Sequence, residues 1–208
     1  TFPLFCKPVG GSNGVLAERI GDIAALDDYM ERAARVTFAI LMQPYIIAPE
    51  YRVIVLEGRP LCCYRKSLPV VVGDGMCSLQ QLAESVSRDF GAWPPRVSGR
   101  DANHGLVQHD QVVAAGRRIT IEGPANRAVG GATDTFSDDV PAPLAELALA
   151  ASRALDLRIA GIDVFDASAG NDFSALQVIE ANYNPMIATL EDHGRWDLIA
   201  EIWRANFE

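Results

Sequence analysis

Apolar runs of strand length alternate along the chain with stretches that begin at helix-capping residues. The first strand-like runs are Leu4–Lys7 and Ile40–Gln43. Between them, Asp22 is a favourable N-cap because its carboxylate accepts backbone N–H groups of the first helical turn, and it predicts a helix from about Ile23 to Ala34. The start of the chain is therefore expected to form a strand, a helix and a second strand.

The middle of the chain predicts a hairpin and a long excursion. Two apolar runs, Tyr51–Leu56 and Pro60–Lys66, flank the turn at Glu57-Gly58, as in a β-hairpin. The stretch from Trp93 to Val107 is rich in Pro, Gly, Asn and Asp and is expected to be an irregular excursion. A further strand is predicted at Arg118–Ile121.

Three more helices are indicated by their first residues or their position. Ser78 precedes Gln81 by the spacing of a capping box, and this helix is expected to reach Phe90. Pro141 is suited to a first helical turn and predicts a helix to about Ala154. A closing helix is predicted from about Trp196 to Asn206.

These elements predict an α+β fold with a mostly antiparallel sheet. The hairpins adjoin one another, and the helices do not follow the regular strand–helix–strand rhythm of a doubly wound protein. The loop after Lys7 lacks the Gly-x-x-x-x-Gly-Lys-Ser/Thr order, so it is not a P-loop, and no Gly-x-Gly-x-x-Gly opens a helix.

Two predicted strands near the end, Gly161–Phe165 and Val178–Asn182, carry three oxygen-rich side chains. Glu180 and Asn182 project to the same side because strand side chains alternate. Asp163 lies within an apolar run, where an unpaired carboxylate is unfavourable. Carboxylates and an amide suit Mg²⁺ that keeps water and phosphate oxygens as its other ligands. Carboxylates that simply end strands at the surface are the alternative.

Charge limits the possible partners without excluding a nucleotide. The 208 residues allow one or two domains, and 49% hydrophobic with 22% charged residues is typical of a globular protein. The net charge of −9 argues against nucleic acid or an anionic membrane as the main partner. No apolar stretch has membrane-spanning length, and no signal peptide is visible. The chain begins at Thr1, as a processed or cut piece would.

The four cysteines show no metal-binding spacing. They are Cys6, Cys62, Cys63 and Cys77. Cys62 and Cys63 are adjacent on a predicted strand and should face opposite ways, which disfavours a bridge between them. Reduced cysteines are expected, as in a cytoplasmic protein.

Two segments in the first quarter have features of a nucleotide site. Lys7 supplies a cation, and the glycines that follow it let backbone N–H groups approach an anion. Lys-Pro followed by glycines is also an ordinary surface turn. The stretch from Gln43 to Glu50 offers an apolar slot, backbone groups and a carboxylate for a base and a ribose, although a plain strand and turn would look similar.

The chain resembles the ATP-grasp superfamily, and within it the ATP-grasp module of cyanophycin synthetases and related carboxylate–amine ligases. The matching stretches run in family order over nearly the whole length: Phe5-Cys6-Lys7-Pro8, Gln43-Pro44-Tyr45-Ile46, Glu50-Tyr51-Arg52-Val53-Ile54-Val55, Val71-Val72-Gly73-Asp74-Gly75, Asn126 with Gly130-Gly131, Ala160-Gly161-Ile162-Asp163-Val164, and Val178-Ile179-Glu180-Ala181-Asn182.

The resemblance implies an ATP site. Lys7 would contact the phosphates, and the following loop would close over them. The residues of that loop are Gly10, Gly11, Ser12, Asn13 and Gly14. Gln43 stands where many members carry a Glu near the adenine amino group, Tyr45 and Ile46 would bind the base edge, and Glu50 would accept the ribose hydroxyls.

The resemblance also implies Mg²⁺ and catalytic cations. The positions that match the family's Mg²⁺ ligands are Asp163, Glu180 and Asn182. Candidates for stabilising a phosphate or an acyl phosphate are Arg65, Lys66 and Arg118. Arg52 fits either a functional role or a structural ion pair. No catalytic role is expected for His104, His109 or His193.

As domain organisation, residues 1–208 are expected to form one ATP-grasp domain. Residues 1–43 would belong to the small subdomain that covers the nucleotide, and 44–208 to the main subdomain with the metal ligands. An N-terminal domain and a strand with another phosphate-contacting Lys usually precede this part in the family, so the front part is expected to be missing or supplied elsewhere. A homo-oligomer is the alternative expectation for its partners.

The implied reaction is ATP-dependent activation of a small carboxylate, amino acid or peptide, followed by attack of an amine to form an amide. Positioning and charge neutralisation are the main needs of phosphoryl transfer. A non-catalytic nucleotide-binding domain and an ATP-grasp kinase are the alternatives. After Asn182 the chain reads Tyr183-Asn184-Pro185-Met186, whereas many relatives have Pro-Gly, so the substrates do not follow from the family.

Overall fold

The computed structural model describes residues 1–10, 14–86 and 96–207. The strands are β1 Leu4–Pro8, β2 Glu18–Ile20, β3 Ile40–Pro44, β4 Glu50–Leu56, β5 Arg59–Ser67, β6 Val70–Val72, β7 Ser98–Arg100, β8 Leu106–Gln108, β9 Arg118–Glu122, β10 Ala132–Ser137, β11 Ile159–Asp166 and β12 Leu176–Asn182. The helices are α1 Ile23–Ala33, α2 Leu79–Val86, α3 Ala142–Ala154, α4 Ala188–Asp192 and α5 Trp196–Phe207, with a 3₁₀ turn at Arg127–Val129.

The chain forms two compact units. The first unit comprises Thr1–Ile46 and Leu68–Ala132, and the second comprises Ile47–Ser67 and Thr133–Glu208. Residues 44–208, predicted as one subdomain, are thus divided between the units. The assignment of a nucleotide-covering subdomain stays a prediction. Within the described residues, no helix is both long and apolar enough to cross a membrane.

The first unit contains two small antiparallel sheets. One has the order β2-β1-β3 and packs Cys6 and Ile20 against Tyr29 and Ala33 of α1. The other has the order β6-β9-β7-β8, and its core joins apolar residues of the strands to those of α2. That core contains Val71, Leu79, Leu82, Ala83, Val97, Val107, Val113, Ile119, Ile121 and Val129.

The second unit is built on one five-stranded sheet with the order β10-β5-β4-β11-β12. One face is mostly apolar and packs on α3. The residues of this core include Val53, Val55, Leu144, Ala148, Ile162 and Val164. On the other face, α4 and α5 cover one end of the strands, with a core that includes Ile54, Leu56, Cys62, Leu190 and Ile202. The opposite end of that second face carries polar side chains.

Several local predictions are confirmed because their causes are local. The Asp22 carboxylate accepts the Ala25 N–H at 2.8 Å and caps α1. The Ser78 N–H donates to the Gln81 side chain at 2.9 Å, and the Gln81 N–H donates back to the Ser78 hydroxyl at 3.3 Å, which completes the capping box. Glu57 and Gly58 have φ of 48° and 77°, as the hairpin turn requires.

The α+β class and the antiparallel sheets are confirmed, whereas one regional prediction is wrong. The stretch from Trp93 to Val107, expected to be an excursion without strands, contains β7 and part of β8, and its residues 93–95 lie outside the described residues. These strands have three residues each, which is too few for a visible alternation of polar and apolar residues. They form because β7 pairs with β9 in the tertiary structure. The predicted end of α2 at Phe90 lies outside the described residues, and the described helix ends at Val86.

Candidate functional site

Strand register gathers charged residues on the polar end of the five-stranded sheet. Arg52 of β4 lies opposite Asp163 of β11, and Asp163 lies opposite Glu180 of β12. On the next row, Glu50 of β4 lies opposite Lys66 of β5. Because directly opposite residues project to the same face of a sheet, these side chains share one surface.

Four of these side chains form a continuous ion-pair network, the Asp163 cluster, defined as Glu50, Arg52, Lys66 and Asp163. Arg52 Nε and Nη2 donate to Asp163 Oδ1 and Oδ2 at 2.7 and 2.6 Å. Lys66 Nζ lies 3.0 Å from Asp163 Oδ2 and donates to Glu50 Oε1 at 2.6 Å. Asp163 is 4% exposed, so its charge depends on these partners.

The network favours the charged forms of Asp163 and Lys66. Burial by itself would raise the pKa of the Asp163 carboxyl, but the charges of Lys66 and Arg52 outweigh burial and hold that pKa below its ordinary value. Burial would likewise lower the pKa of Lys66, yet the carboxylates of Asp163 and Glu50 raise it above its ordinary value. Both directions favour the charged forms of Asp163 and Lys66, which pair with each other.

Glu180 and Asn182 lie beside the cluster on the sheet's edge strand. The β11–β12 register shifts between Asp163 and Val164, which leaves Ile179 as the extra residue of a bulge next to Glu180. Both Glu180 and Asn182 are half-buried. The Asn182 amide approaches the Gly161 carbonyl only at 3.5 Å, so it is weakly held.

The donor chemistry of Asp163, Glu180 and Asn182 suits Mg²⁺, because every donor is a hard oxygen. A carboxylate has about four lone-pair positions. Two contacts occupy Asp163 Oδ2 and one occupies Oδ1, which leaves Oδ1 as the better-placed donor. Among the described residues, no group of three or more His, Cys, Asp or Glu is placed to hold a metal, and this set has only two carboxylates. The metal assignment stays a prediction.

The other two predicted catalytic cations lie elsewhere. Arg65 neighbours Lys66 on β5 and therefore projects to the opposite face, where its Nε is 3.7 Å from Asp134 Oδ2. Arg118 lies in the first unit, exposed on β9 opposite Val72. Of the three cations, the structure brings Lys66 alone into the Asp163 cluster, and the roles of all three stay predictions.

The predicted ATP-binding residues other than Glu50 belong to the first unit. Lys7 lies on β1 opposite Leu41, and Gln43 lies on β3 opposite Phe5. Tyr45 follows β3, donates its N–H to the Pro3 carbonyl at 3.1 Å, and stacks on Phe5 with ring centroids 6.3 Å apart. The neighbouring Ile46 is half-buried. The segment predicted to contact the base is thus anchored by the backbone and the ring of Tyr45.

The glycine-rich loop is described only at its two ends. Gly10 and Gly14 have φ of 77° and 76°, a conformation that glycine adopts without strain, while Gly11, Ser12 and Asn13 lie outside the described residues. A Cβ on Gly14 would lie 3.0 Å from Asn126 Nδ2 and 3.3 Å from Pro124. The end of the loop therefore lies against the segment that precedes Gly130-Gly131.

Comparison with known families identifies the fold. The model of the RimK-like ATP-grasp domain matches residues 98–205, which is more than half of the chain. The chain belongs to the RimK-like ATP-grasp family. It therefore has the ATP-grasp fold, as the sequence resemblance implied.

Curated relatives of this ATP-grasp domain are longer proteins. The glutathione biosynthesis bifunctional protein of Mannheimia succiniciproducens is 23% identical over 212 residues, which cover 90% of the chain and 28% of the relative. The cyanophycin synthetase of Trichormus variabilis is 22% identical over 202 residues, which cover 88% of the chain and 22% of the relative. The chain thus spans about a quarter of the length of these relatives.

Solved structures include similar ATP-grasp ligases. The D-alanine–D-alanine ligase of Bacillus anthracis has a TM-score of 0.48 with this domain at 16% identity, covering 88% of the chain and 44% of the ligase. The bifunctional glutathione synthetase of Pasteurella multocida has a TM-score of 0.39 at 20% identity, covering 89% of the chain and 28% of that protein.

An open pocket of the ATP-grasp domain begins directly after Asn182. It has a volume of about 600 Å³ and lies within the second unit, between residues 183–188 and α5. Tyr183, Met186 and Trp203 contribute exposed apolar surface to it. Pro185 is buried against Gly161, where an added Cβ would meet its Cβ at 2.9 Å. The departure from Pro-Gly in the sequence therefore coincides with an apolar pocket.

Sequence reasoning left the role of Arg52 open and did not consider Glu122. Strand alternation was a usable signal for Arg52, because it lies two residues after Glu50 and hence on the same face. Glu122 belongs to a second buried network, the Glu122 cluster, defined as Arg19, Ser98, Arg100 and Glu122. Its carboxylate accepts from Arg100 Nε and from Ser98 Oγ, each at 2.8 Å.

Proposed function

We propose that this domain is the ATP-using part of a carboxylate–amine ligase that acts on amino acids or peptides. ATP would phosphorylate a carboxylate to an acyl phosphate, and an amine would displace the phosphate to form an amide. The observation that carries the proposal is the Asp163 cluster, with Glu180 and Asn182 beside it on one face of the second unit. Family membership adds to it, as do relatives named for glutathione biosynthesis and cyanophycin synthesis.

The residues of the cluster suit phosphoryl transfer because that reaction needs positioning and charge neutralisation more than covalent help. Asp163, Glu180 and Asn182 would hold Mg²⁺, which supplies positive charge to phosphate oxygens when bound. Lys66 and Arg52 provide two further cations on the same surface. Lys7, Gln43, Tyr45, Ile46 and the glycine-rich loop are proposed to bind ATP, with Glu50 as the acceptor for the ribose.

We place part of a substrate in the pocket that begins at Tyr183. The lining of the pocket includes Tyr183, the residue that directly follows the proposed metal ligand Asn182 in the chain. Its apolar surface from Met186 and Trp203 favours an aliphatic or aromatic side chain, and Glu191 in its lining disfavours an anionic one. Carboxylate substrates with apolar side chains are therefore the first to test.

The test uses the longest natural protein that contains this domain. It is incubated with Mg²⁺, ATP and pools of amino acids or dipeptides grouped by side chain, with and without hydroxylamine, and both ADP and hydroxamate are measured. ADP that forms together with hydroxamate in a pool-dependent manner supports the ligase. A stable phosphorylated product instead indicates a kinase, and nucleotide binding without turnover in any pool indicates a non-catalytic domain. Either of these two outcomes contradicts the proposal.

Glu180→Gln tests the proposed metal ligand, and Glu57→Gln is its matched control. Glu57 lies at an exposed hairpin turn, where its side chain is 51% exposed and pairs with Arg158. Both substitutions remove one carboxylate charge from the second unit. Loss of ADP formation in the Glu180 variant alone separates the proposed site from a general effect of charge.

A further inference from the structure

The Asp163 cluster contains equal positive and negative charge. Arg52 and Lys66 each carry one positive charge, and Glu50 and Asp163 each carry one negative charge, so the four formal charges cancel. Asp163, a predicted metal ligand, is contacted by both cations at 3.0 Å or less. A divalent cation that approaches Asp163 therefore meets a carboxylate that is already neutralised.

The position of Arg52 is defined by its surroundings. Its fork-shaped guanidinium contacts both oxygens of Asp163, and its side chain is 15% exposed. A Cβ on Gly161 would lie 3.4 Å from Arg52 Cδ and 2.9 Å from Pro185, so glycine at this position leaves room for the Arg52 side chain. Arg52 is thus held against Asp163 on the sheet and exposes little of its side chain to solvent.

We propose that Arg52, together with Lys66, makes metal binding depend on nucleotide. The two cations disfavour a bare divalent ion at Asp163, because like charges repel strongly where burial limits screening. The same two cations attract the polyphosphate of a nucleotide, whose negative charge offsets the metal's charge. Metal and nucleotide then bind with positive coupling, and Arg52 acts as a positioning residue for Asp163. This inference rests on the proposed function.

The experiment measures Mn²⁺ binding by the electron paramagnetic resonance signal of free Mn²⁺, without turnover. Wild-type protein is titrated with Mn²⁺ alone and with Mn²⁺ plus a non-hydrolysable ATP analogue. We expect Mn²⁺ to bind at least about tenfold more tightly when the analogue is present, after correction for Mn²⁺ bound by the free analogue. Equal affinities in the two titrations overturn the inference.

Arg52→Gln is the main variant, and the expected changes have opposite signs. Bare Mn²⁺ should bind about tenfold more tightly than to wild type because one repelling charge is gone, whereas Mn²⁺ with the analogue should bind more weakly. Loss of a merely structural contact would weaken both. Arg52→Lys, which keeps the charge and loses the two-pronged contact, should retain most of the coupling. A Lys variant that loses as much coupling as the Gln variant contradicts the role of charge.

Arg59→Gln is the matched control because it removes an arginine from the same sheet. Arg59 lies at the turn end of the β4–β5 hairpin, away from the cluster, where its side chain is 55% exposed and pairs with Glu201. The affinity for Mn²⁺ with and without the analogue should therefore stay at the wild-type value. Thermal melting checks that each variant folds; if Arg52→Gln does not fold, Lys66→Gln takes its place with the same expected signs. A wild-type protein that binds no nucleotide defeats the proposed function itself, whereas binding without coupling defeats this inference alone.

Discussion

Two carboxylates, one in each unit, are buried to a similar extent and paired with two cations each, but they differ in the oxygen donors that lie beside them. Glu122 in the first unit and Asp163 in the second have side chains that are 5% and 6% exposed. Each is compensated by two cationic side chains. Glu122 has Arg100 at 2.8 Å and Arg19 at 3.4 Å, and Asp163 has Arg52 and Lys66. Burial with ion pairing therefore does not by itself distinguish a structural carboxylate from a functional one.

The neighbours make the distinction. The Glu122 cluster joins residues of both small sheets of the first unit, since Arg19 lies on β2 and Ser98 and Arg100 lie on β7. No further carboxylate or amide lies opposite Glu122 in the β7–β9 register, where its partner is Ser98. Asp163 instead lies opposite Glu180, which precedes Asn182 on the same face. Additional oxygen donors beside a paired carboxylate are what make the second cluster a candidate metal site.

The largest effect is expected for Asp163→Asn. Removing this charge leaves Arg52 and Lys66 buried without their shared partner, which should lower the free energy of unfolding by about 3–5 kcal/mol. ADP formation by the folded fraction should fall below detection. Urea denaturation measures the stability and an ADP-release assay measures turnover. A variant with wild-type turnover would remove Asp163 from the proposed site.

Glu122→Gln should also destabilise, by about 3 kcal/mol, because Arg19 and Arg100 lose their carboxylate partner. The half-saturating Mg²⁺ concentration for turnover should nevertheless stay at the wild-type value, since no proposed metal ligand contacts Glu122. Urea denaturation and a Mg²⁺ titration of ADP release provide the two numbers. A raised Mg²⁺ requirement in this variant would contradict the contrast drawn between the clusters.

An intermediate effect is expected in acid. The folded-state pKa of Asp163 lies below its unfolded value, so its contribution to stability is fully present above pH 4 or so and is lost as the pH falls through the folded-state pKa. The stability difference between wild type and Asp163→Asn should therefore narrow below about pH 4. Denaturation curves for both proteins at several pH values from about 3 to about 7 measure this difference in the free energy of unfolding. A difference that is constant over that range would show that Asp163 is not held ionised by its partners.

The smallest change in stability is expected for Glu180→Gln. Glu180 is half-buried on an edge strand, so the free energy of unfolding should change by less than about 1 kcal/mol. Turnover at limiting Mg²⁺ should fall about 100-fold or more, because a carboxylate donor becomes a neutral amide. Full turnover at low Mg²⁺ would show that Glu180 is not a metal ligand.

Predictions from sequence succeeded where the cause is a short segment. The cap at Asp22, the box formed by Ser78 with Gln81, and the turn at Glu57-Gly58 each depend on contacts within a few residues. Cys62 and Cys63 face opposite sides of their sheet, as alternation predicted. Strands of three residues, such as β6 and β7, were missed because so short a run has no period to detect.

For the candidate site, the sequence predicted most of the residues but not the ion pairs that they form. The pairing of Arg52 with Asp163 joins residues 111 positions apart, and no local pattern states which strand lies next to β11. The same limit explains why Arg65 and Lys66 were treated alike, although neighbouring residues of a strand face opposite sides and Lys66 alone of the two joins the cluster.

The sequence by itself determined the α+β class, the antiparallel hairpin and the oxygen donors on β11 and β12, because backbone preference and strand alternation act over a few residues. Only the tertiary structure decided that Asp163 lies buried between Arg52 and Lys66, and that Pro185 and Arg52 share the space above Gly161. The physical reason is that an ion pair forms between charges that the strand order brings within about 3 Å, and strand order depends on packing across the whole second unit.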